Sequence, residues 1–186
     1  FVLVSYLPIP NKVGEMKTKP TQYAVRTLNS YGVHPDVIIA RSERPLDLKR
    51  KEKLAFASNV PPTNIISAPD VENIYEIPLN FEKDGLSDTL LRLLKLRPRQ
   101  HDLKDWRALV EKMRAAKNKE PVRLGIVGKY FRTGDFVLTD VYISIIESLK
   151  HAAAALEKPL IIDWLNALNY EEDEERIKTL SAYHGL

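Results

Sequence analysis

The chain has 186 residues, 44% hydrophobic and 28% charged, with a formal net charge of +3. That balance describes a soluble globular chain of one domain or two small ones, and with no run of about 18 apolar residues it excludes a membrane-spanning helix. The absence of cysteine excludes disulfides, thiolate metal sites and a cysteine nucleophile within these residues.

The opening "FVLVSYLPIP" has neither a basic n-region nor a small-residue cleavage site, so it does not read as a signal peptide. It starts inside an apolar run, and the closing "HGL" reads as the start of a strand. A fragment of a longer protein is therefore expected, with a trimmed independent domain as the alternative. Residues 1–60 hold ten Lys/Arg against five Asp/Glu, while the other 126 hold 18 against 20. A basic first third points either to an anionic partner or to ordinary surface lysine.

Residues 1–6, alternating Val2, Val4 and Tyr6 with smaller partners, predict a buried strand. A helix is predicted over 20–31. Pro20 suits its first turn, Ala24, Val25 and Leu28 form an apolar stripe, and Gly32 suits the position beyond its end. "DVIIARS" (36–42) is a continuous apolar run of the kind found in a central parallel strand. A helix follows over 47–57 with Leu48, Leu54, Ala55 and Phe56 inward, then a strand in "TNIISA" (63–68). "DVENIYEIP" (70–78) suggests one helical turn before a bend at Pro78, and 87–96 form a leucine-rich helix. This β-α-β-α-β order predicts a parallel sheet with helices outside.

"KLRPRQ" (95–100) breaks the pattern. Asp102 is a good N-cap for a helix reaching about Lys117, with Leu103, Trp106, Leu109, Val110 and Met113 on one face. Residues 97–120 thus read as a linker carrying an amphipathic helix. A second α/β start follows. It has a strand in "VRLGIVGKY" (122–130), a helix over 139–156 with Val141, Ile145, Leu149 and Ala153 in register, and a strand in "PLIIDWL" (159–165). An acidic-fronted helix in "EEDEERIKTL" (171–180) completes it.

The stretch "GEMKTKPTQ" (14–22) carries the strongest chemical signal. Lys17 and Lys19 can each place an ammonium on a phosphate, Thr18 and Thr21 offer hydroxyls, and Gln22 offers an amide. If Pro20 opens the helix, Lys19 falls at the N-cap, where lysine caps poorly. The first-turn N–H groups are then open to an anion, helped by the helix dipole; Thr18 or water is the plainer partner. In "KRKEKLAFASN", Lys49, Arg50, Lys51 and Lys53 cannot all face one ligand, because successive helical residues turn by about 100°. Lys53 is expected at the buried edge, beside Leu54–Phe56. "GIVGKY" is not a phosphate loop: its glycines are too close and Tyr130 follows Lys129. The four histidines (His34, His101, His151, His184) lack metal-ligand spacing. Asp70 follows a strand at the end where α/β sheets bind ligands, or else caps the next turn.

Together "GEMKTKPTQYAVRTLNSYGVHPDVIIARSERPL", "KLAFASNVP", "IISAPDVENIYEIP" and "LGIVGKY…VYISIIESLKHA" resemble CTP synthase, the glutamine-dependent family that aminates UTP. The resemblance runs nearly the whole length, and "KTKPTQ" is highly specific. It implies an α/β fold in three parts. Residues 1–96 would be the C-terminal part of a parallel-sheet, P-loop-like synthetase (amidoligase) domain, and 97–120 an interdomain linker. Residues 121–186 would begin a flavodoxin-like class I glutamine amidotransferase domain.

The resemblance also implies a reaction. ATP phosphorylates the uracil 4-oxygen, glutamine hydrolysis releases ammonia, and ammonia displaces the phosphate. UTP, or the inhibitor CTP, would fall to Lys17, Thr18, Lys19, Pro20, Thr21, Gln22 and Lys53. The ATP adenine side would fall to Pro69, Asp70 and Val71, with Arg41 nearby. Magnesium ligands, the phosphate loop and the glutaminase triad would lie outside these residues, leaving no catalytic residue within them and an inactive fragment. GTP as activator, a homodimer or homotetramer and a cytoplasmic location are likewise implied, with no nucleic acid or membrane as partner. The loop "FRTGDFVLTD" looks longer than in many relatives. Two other readings compete: a basic nucleic-acid-binding module, for which no RNA or DNA motif and no interleaved aromatic appears, and a structural or interaction module.

Overall fold

The computed structural model describes residues 1–12, 14–99, 102–129, 132–133, 136–137, 142–171 and 173–186. They form two compact units, Phe1–Leu103 and Lys104–Leu186.

In the first unit, β1 (Val2–Tyr6), β2 (Val37–Ser42) and β3 (Ile65–Pro69) form a parallel sheet in the order β1-β2-β3. Helices α1 (Lys19–Ser30) and α2 (Leu48–Ser58) make the crossovers that parallel neighbours require. The pleat gives β2 two faces. Leu3, Ile38 and Ile65 lie in one register row and pack in the core with Val25 of α1 and Leu54 of α2. Ile39 and Arg41 point to the opposite face, beside α3 (Ile77–Lys83). After α3, Asp84 begins a tight turn into α4 (Leu86–Leu93). Its carboxylate accepts from Lys51 Nζ at 2.6 and 2.8 Å and from the Ser67 N–H at 2.5 Å. That one side chain ties α2 and the edge strand β3 to the α3–α4 turn.

Several local expectations change. Val2, Val4 and Tyr6 are exposed rather than buried, because they occupy the face of edge strand β1 turned away from the core row. Phe56 is 94% and Leu48 69% exposed. The buried stripe of α2 is Leu54, Ala55 and Ser58, and about 100° per residue carries Phe56 to the far side of the helix from Leu54. Pro78 does not bend the chain. It sits in the first turn of α3, where its missing N–H costs nothing.

In the second unit, β4 (Val122–Gly128) pairs in parallel with β7 (Leu160–Asn166). Leu124 also bridges in parallel to Gly185, so "HGL" does approach β4 as a further extended segment. Helix α5 (Lys104–Ala116) belongs to this unit; it buries Val110, with Trp106, Leu109 and Met113 half-buried along the predicted stripe. β5 (Arg132–Thr133) and β6 (Phe136–Val137) form a two-residue antiparallel ladder within "FRTGDFVLTD"; most of that loop, and Val141, lie outside the described residues. Helix α6 (Ile143–Ala155) buries Ile146, Ala153 and Ala154. Ile145, predicted inward, is exposed one residue off that stripe. The acidic-fronted segment supplies α7 (Glu174–Thr179). No described helix is long and apolar enough to cross a membrane.

Gly125 of β4 is required by space. A Cβ there would lie 2.6 Å from Leu165 Cδ1 and 2.9 Å from Leu186 Cδ2. Gly125→Ala should cost about 1–3 kcal/mol through overpacking. Urea unfolding followed by the fluorescence of Trp164, on the neighbouring strand β7, measures it. An unchanged midpoint would mean that the two leucines turn aside freely.

Candidate functional site

Parallel strands place their carboxyl ends on one edge, where α/β sheets carry their ligands. Here that edge leads into the Lys17–Gln22 segment after β1, the start of α2 after β2, and Asp70 after β3.

Helix α1 starts one residue earlier than expected. Thr18 is the N-cap and Lys19 the first helical residue, with Pro20 behind it. The Thr18 side chain makes no capping hydrogen bond; its Oγ1 accepts from Gln22 Nε2 at 3.1 Å. Thr21 is fully buried, its hydroxyl 2.9 Å from Ser5 Oγ of β1. Thr21 therefore anchors the helix start to the sheet, while Thr18 braces the first turn of α1 from within. Lys19 is exposed and makes no side-chain hydrogen bond or ion pair among the described residues. Lys17 Nζ is 2.6 Å from Glu15 Oε2.

Glu15 gathers the cations of two elements. Arg50, in the first turn of α2, brings Nη2 to 3.7 Å of Glu15 Oε1 and donates from Nε to the Met16 carbonyl at 3.3 Å. Asp47 caps α2 by accepting from the Arg50 N–H at 2.8 Å, and it also pairs with the Arg50 guanidinium. The Lys17 ammonium, hydrogen-bonded to Glu15, holds that carboxyl below the usual range, with smaller contributions from the charges of Arg50 and Lys53. Lys53 is exposed rather than at a buried edge, because its neighbour Leu54 takes the core position. Lys17, Arg50 and Lys53 thus share one neighbourhood. Arg50 was missed in the sequence. The available signal was its spacing of three before Lys53, which puts both on one helical face.

The opposite face of the sheet holds a groove of about 690 Å³, lined by Val4, Ile39 and Arg41, by 68–71 at the end of β3 and just beyond it, and by Ile77, Asn80 and Phe81 of α3. It gathers Arg41, Pro69, Asp70 and Val71. Arg41 Nη2 is 3.0 Å from Asp70 Oδ1, and the Asp70 N–H donates to the Ser42 carbonyl at 2.8 Å. Asp70 does not cap the following turn; Asn73 does, accepting from the Tyr75 N–H at 3.0 Å. Among the described residues no three His, Asp or Glu side chains cluster to hold a metal. His34 bonds to Asn29, and His184 to the Arg123 N–H.

A parallel β-α-β-α-β unit, with cations grouped at its helix starts and a largely apolar groove behind its central strand, defines an α/β protein that presents its polar groups at the strand ends. Residues 1–96 match the family model described as CTP synthase N-terminus, and the chain belongs to the CTP synthase family. It is 45% identical over its whole length to a CTP synthase of Thermococcus gammatolerans, covering 33% of that protein. It is 46% identical over 92% of its length to one of Pyrococcus furiosus, covering 30%. For one of Thermosynechococcus vestitus the figures are 44%, 90% and 30%. The chain therefore spans about a third of the length of these curated relatives.

Proposed function

We propose that the chain is the pyrimidine-nucleotide-binding part of an enzyme that aminates UTP to CTP, using ATP and ammonia from glutamine. The observation that carries this is the grouping of Lys17 and Lys53, from separate elements, around Glu15 at the start of α1. Lys17, Lys19 and Lys53 are the phosphate ligands, with Gln22 on the uridine part. Pro20 fixes the helix start, Thr21 holds it against β1, and Thr18 braces its first turn through Gln22. The donor set suits a triphosphate: ammonium groups on two elements, beside helix N–H groups that no Thr18 hydroxyl occupies.

Arg41, Pro69, Asp70 and Val71 take the adenine side of ATP in the groove, whose apolar walls fit a flat base. ATP supplies the phosphoryl group that turns the uracil 4-oxygen into a leaving group. No step is assigned to magnesium, since the described residues offer no acidic cluster for it. On this reading residues 1–96 close the synthetase domain, 97–120 are the linker, and 121–186 open a flavodoxin-like class I glutamine amidotransferase domain. Metal ligands and the glutaminase nucleophile belong to the remainder of a cytoplasmic homo-oligomeric enzyme activated by GTP, so these residues alone are inactive.

Titration by NMR tests the binding. UTP should perturb the amides of 17–22 more than UMP does, and its affinity should fall as salt rises from about 0.05 to about 0.5 M, where the screening length shrinks from roughly 14 to roughly 4 Å. A salt-independent affinity, or RNA binding far more tightly than UTP, would sink the reading.

A further inference from the structure

Two lysines proposed as phosphate ligands act on the same carboxylate, and that carboxylate belongs to the protein. Glu15 sits two residues before Lys17, with Oε2 at 2.6 Å from the Lys17 ammonium and Oε1 at 3.7 Å from the Arg50 guanidinium. It is more than half exposed, so a ligand reaching Lys17 meets Glu15 at the same surface. Lys19, one residue from the other end of Thr18, has no such partner among the described residues. The cations are therefore unequal. One is free, one is neutralised from within, and Arg50 is shared between Glu15, Asp47 and the Met16 carbonyl.

We propose that Glu15 is an autoinhibitory contact: an internal stand-in for a ligand phosphate, which an incoming pyrimidine nucleoside triphosphate must displace from Lys17. The proposal rests on the nucleotide reading given above. Its physical content is competition. A ligand with few negative charges gains too little from Lys17 to offset the lost Glu15 pair and the repulsion of the freed carboxylate. A triphosphate supplies more charge across Lys17, Lys19, Lys53 and Arg50 and displaces it. Glu15 thus lowers the affinity of every ligand that must displace it from Lys17, and that of a shorter ligand by no more than the same amount. The low proton affinity of Glu15 keeps it charged, and so competitive, at neutral pH.

The test is Glu15→Gln in the full chain, with calorimetric titration of uridine, UMP, UTP and inorganic triphosphate. An exposed ion pair of this kind corresponds to roughly a two- to fivefold change in affinity. Glu15→Gln should tighten UTP and inorganic triphosphate about that much, and UMP by no more than UTP. Uridine should be unaffected. Glu15→Ala should act in the same direction, which separates charge from side-chain shape. In a Lys17→Ala background the gain from Glu15→Gln should shrink toward none. Weaker or unchanged triphosphate binding in Glu15→Gln overturns the proposal, as does equal tightening of uridine. If the unsubstituted chain binds no UTP, the nucleotide reading itself fails, and that result is distinct from a wild-type chain that binds UTP and ignores Glu15→Gln.

Discussion

Replacing Lys17 and Lys19 together with alanine should weaken UTP binding about thirtyfold at low salt. Each ammonium–phosphate contact is charge-assisted, and such bonds contribute roughly 1.5–3 kcal/mol when shielded from water. Both lysines are at least partly open to solvent, so about 1 kcal/mol each is the better figure, and about 2 kcal/mol converts to roughly thirtyfold. The two contributions arise differently. Lys19 has no partner to lose among the described residues, so its removal subtracts only the phosphate contact. Loss of Lys17 also leaves Glu15 facing the phosphates, with the Arg50 guanidinium still 3.7 Å away. The double variant should also flatten the salt dependence of UTP affinity. Calorimetry at two ionic strengths reads both effects, and an unchanged affinity would remove the lysines from the site. Folding should be unaffected, since neither side chain contributes to the core.

Leu54→Ala should destabilise the first unit by about 2–5 kcal/mol, the range for emptying a fully buried leucine site. Leu54 is 0% exposed and shares its cluster with Val25, Ile38 and Ile65. Its neighbour two positions on, Phe56, is larger and 94% exposed. Phe56→Ala should therefore stay within about 0.5 kcal/mol despite deleting more atoms. Trp106 and Trp164 both lie in the second unit, so their fluorescence does not report on this change. Hydrogen exchange of the α1 and α2 amides does. Equal protection in the two variants would contradict the packing of α2. Where Leu54→Ala remains folded, UTP binding should persist, because Lys53 and Leu54 lie about 100° apart on the helix.

The pair also shows what the sequence made legible. The existence of β1, α1, β2, α2 and β3 follows from period and punctuation: Pro20 and Gly32 bracket α1, and Val37–Ile39 demand burial on both faces of a central strand. Which face of α2 goes inward does not follow, because "LAF" offers three consecutive apolar residues and only the crossover over the sheet chooses among them. Helix α3 was hidden for a similar reason. Pro78 can end a helix or open one, and the choice depends on Ile77 and Phe81 meeting the sheet, a long-range fact. The site was half legible. Lys17, Lys19, Gln22 and Lys53 were visible as charge and motif. The counter-charge shared by Lys17 and Lys53 was not, since Glu15 and Arg50 come together from positions 35 residues apart. The same holds for Arg41 and Asp70, which were singled out separately but whose ion pair needs β2 and β3 in register.

The two faces of β2 have a consequence for traffic between ligands. Ile38 and Ala40 look toward α1 and α2, the helices of Lys19 and Lys53, while Ile39 and Arg41 look into the groove. The strand is thus a partition one residue thick, packed on one side and leaving no passage through the buried row. On the proposed reading, whatever one nucleotide hands to the other must go around the end of this wall, past Ser42 and Asp70, and not across it. At that corner the Asp70 N–H already engages the backbone carbonyl of Ser42.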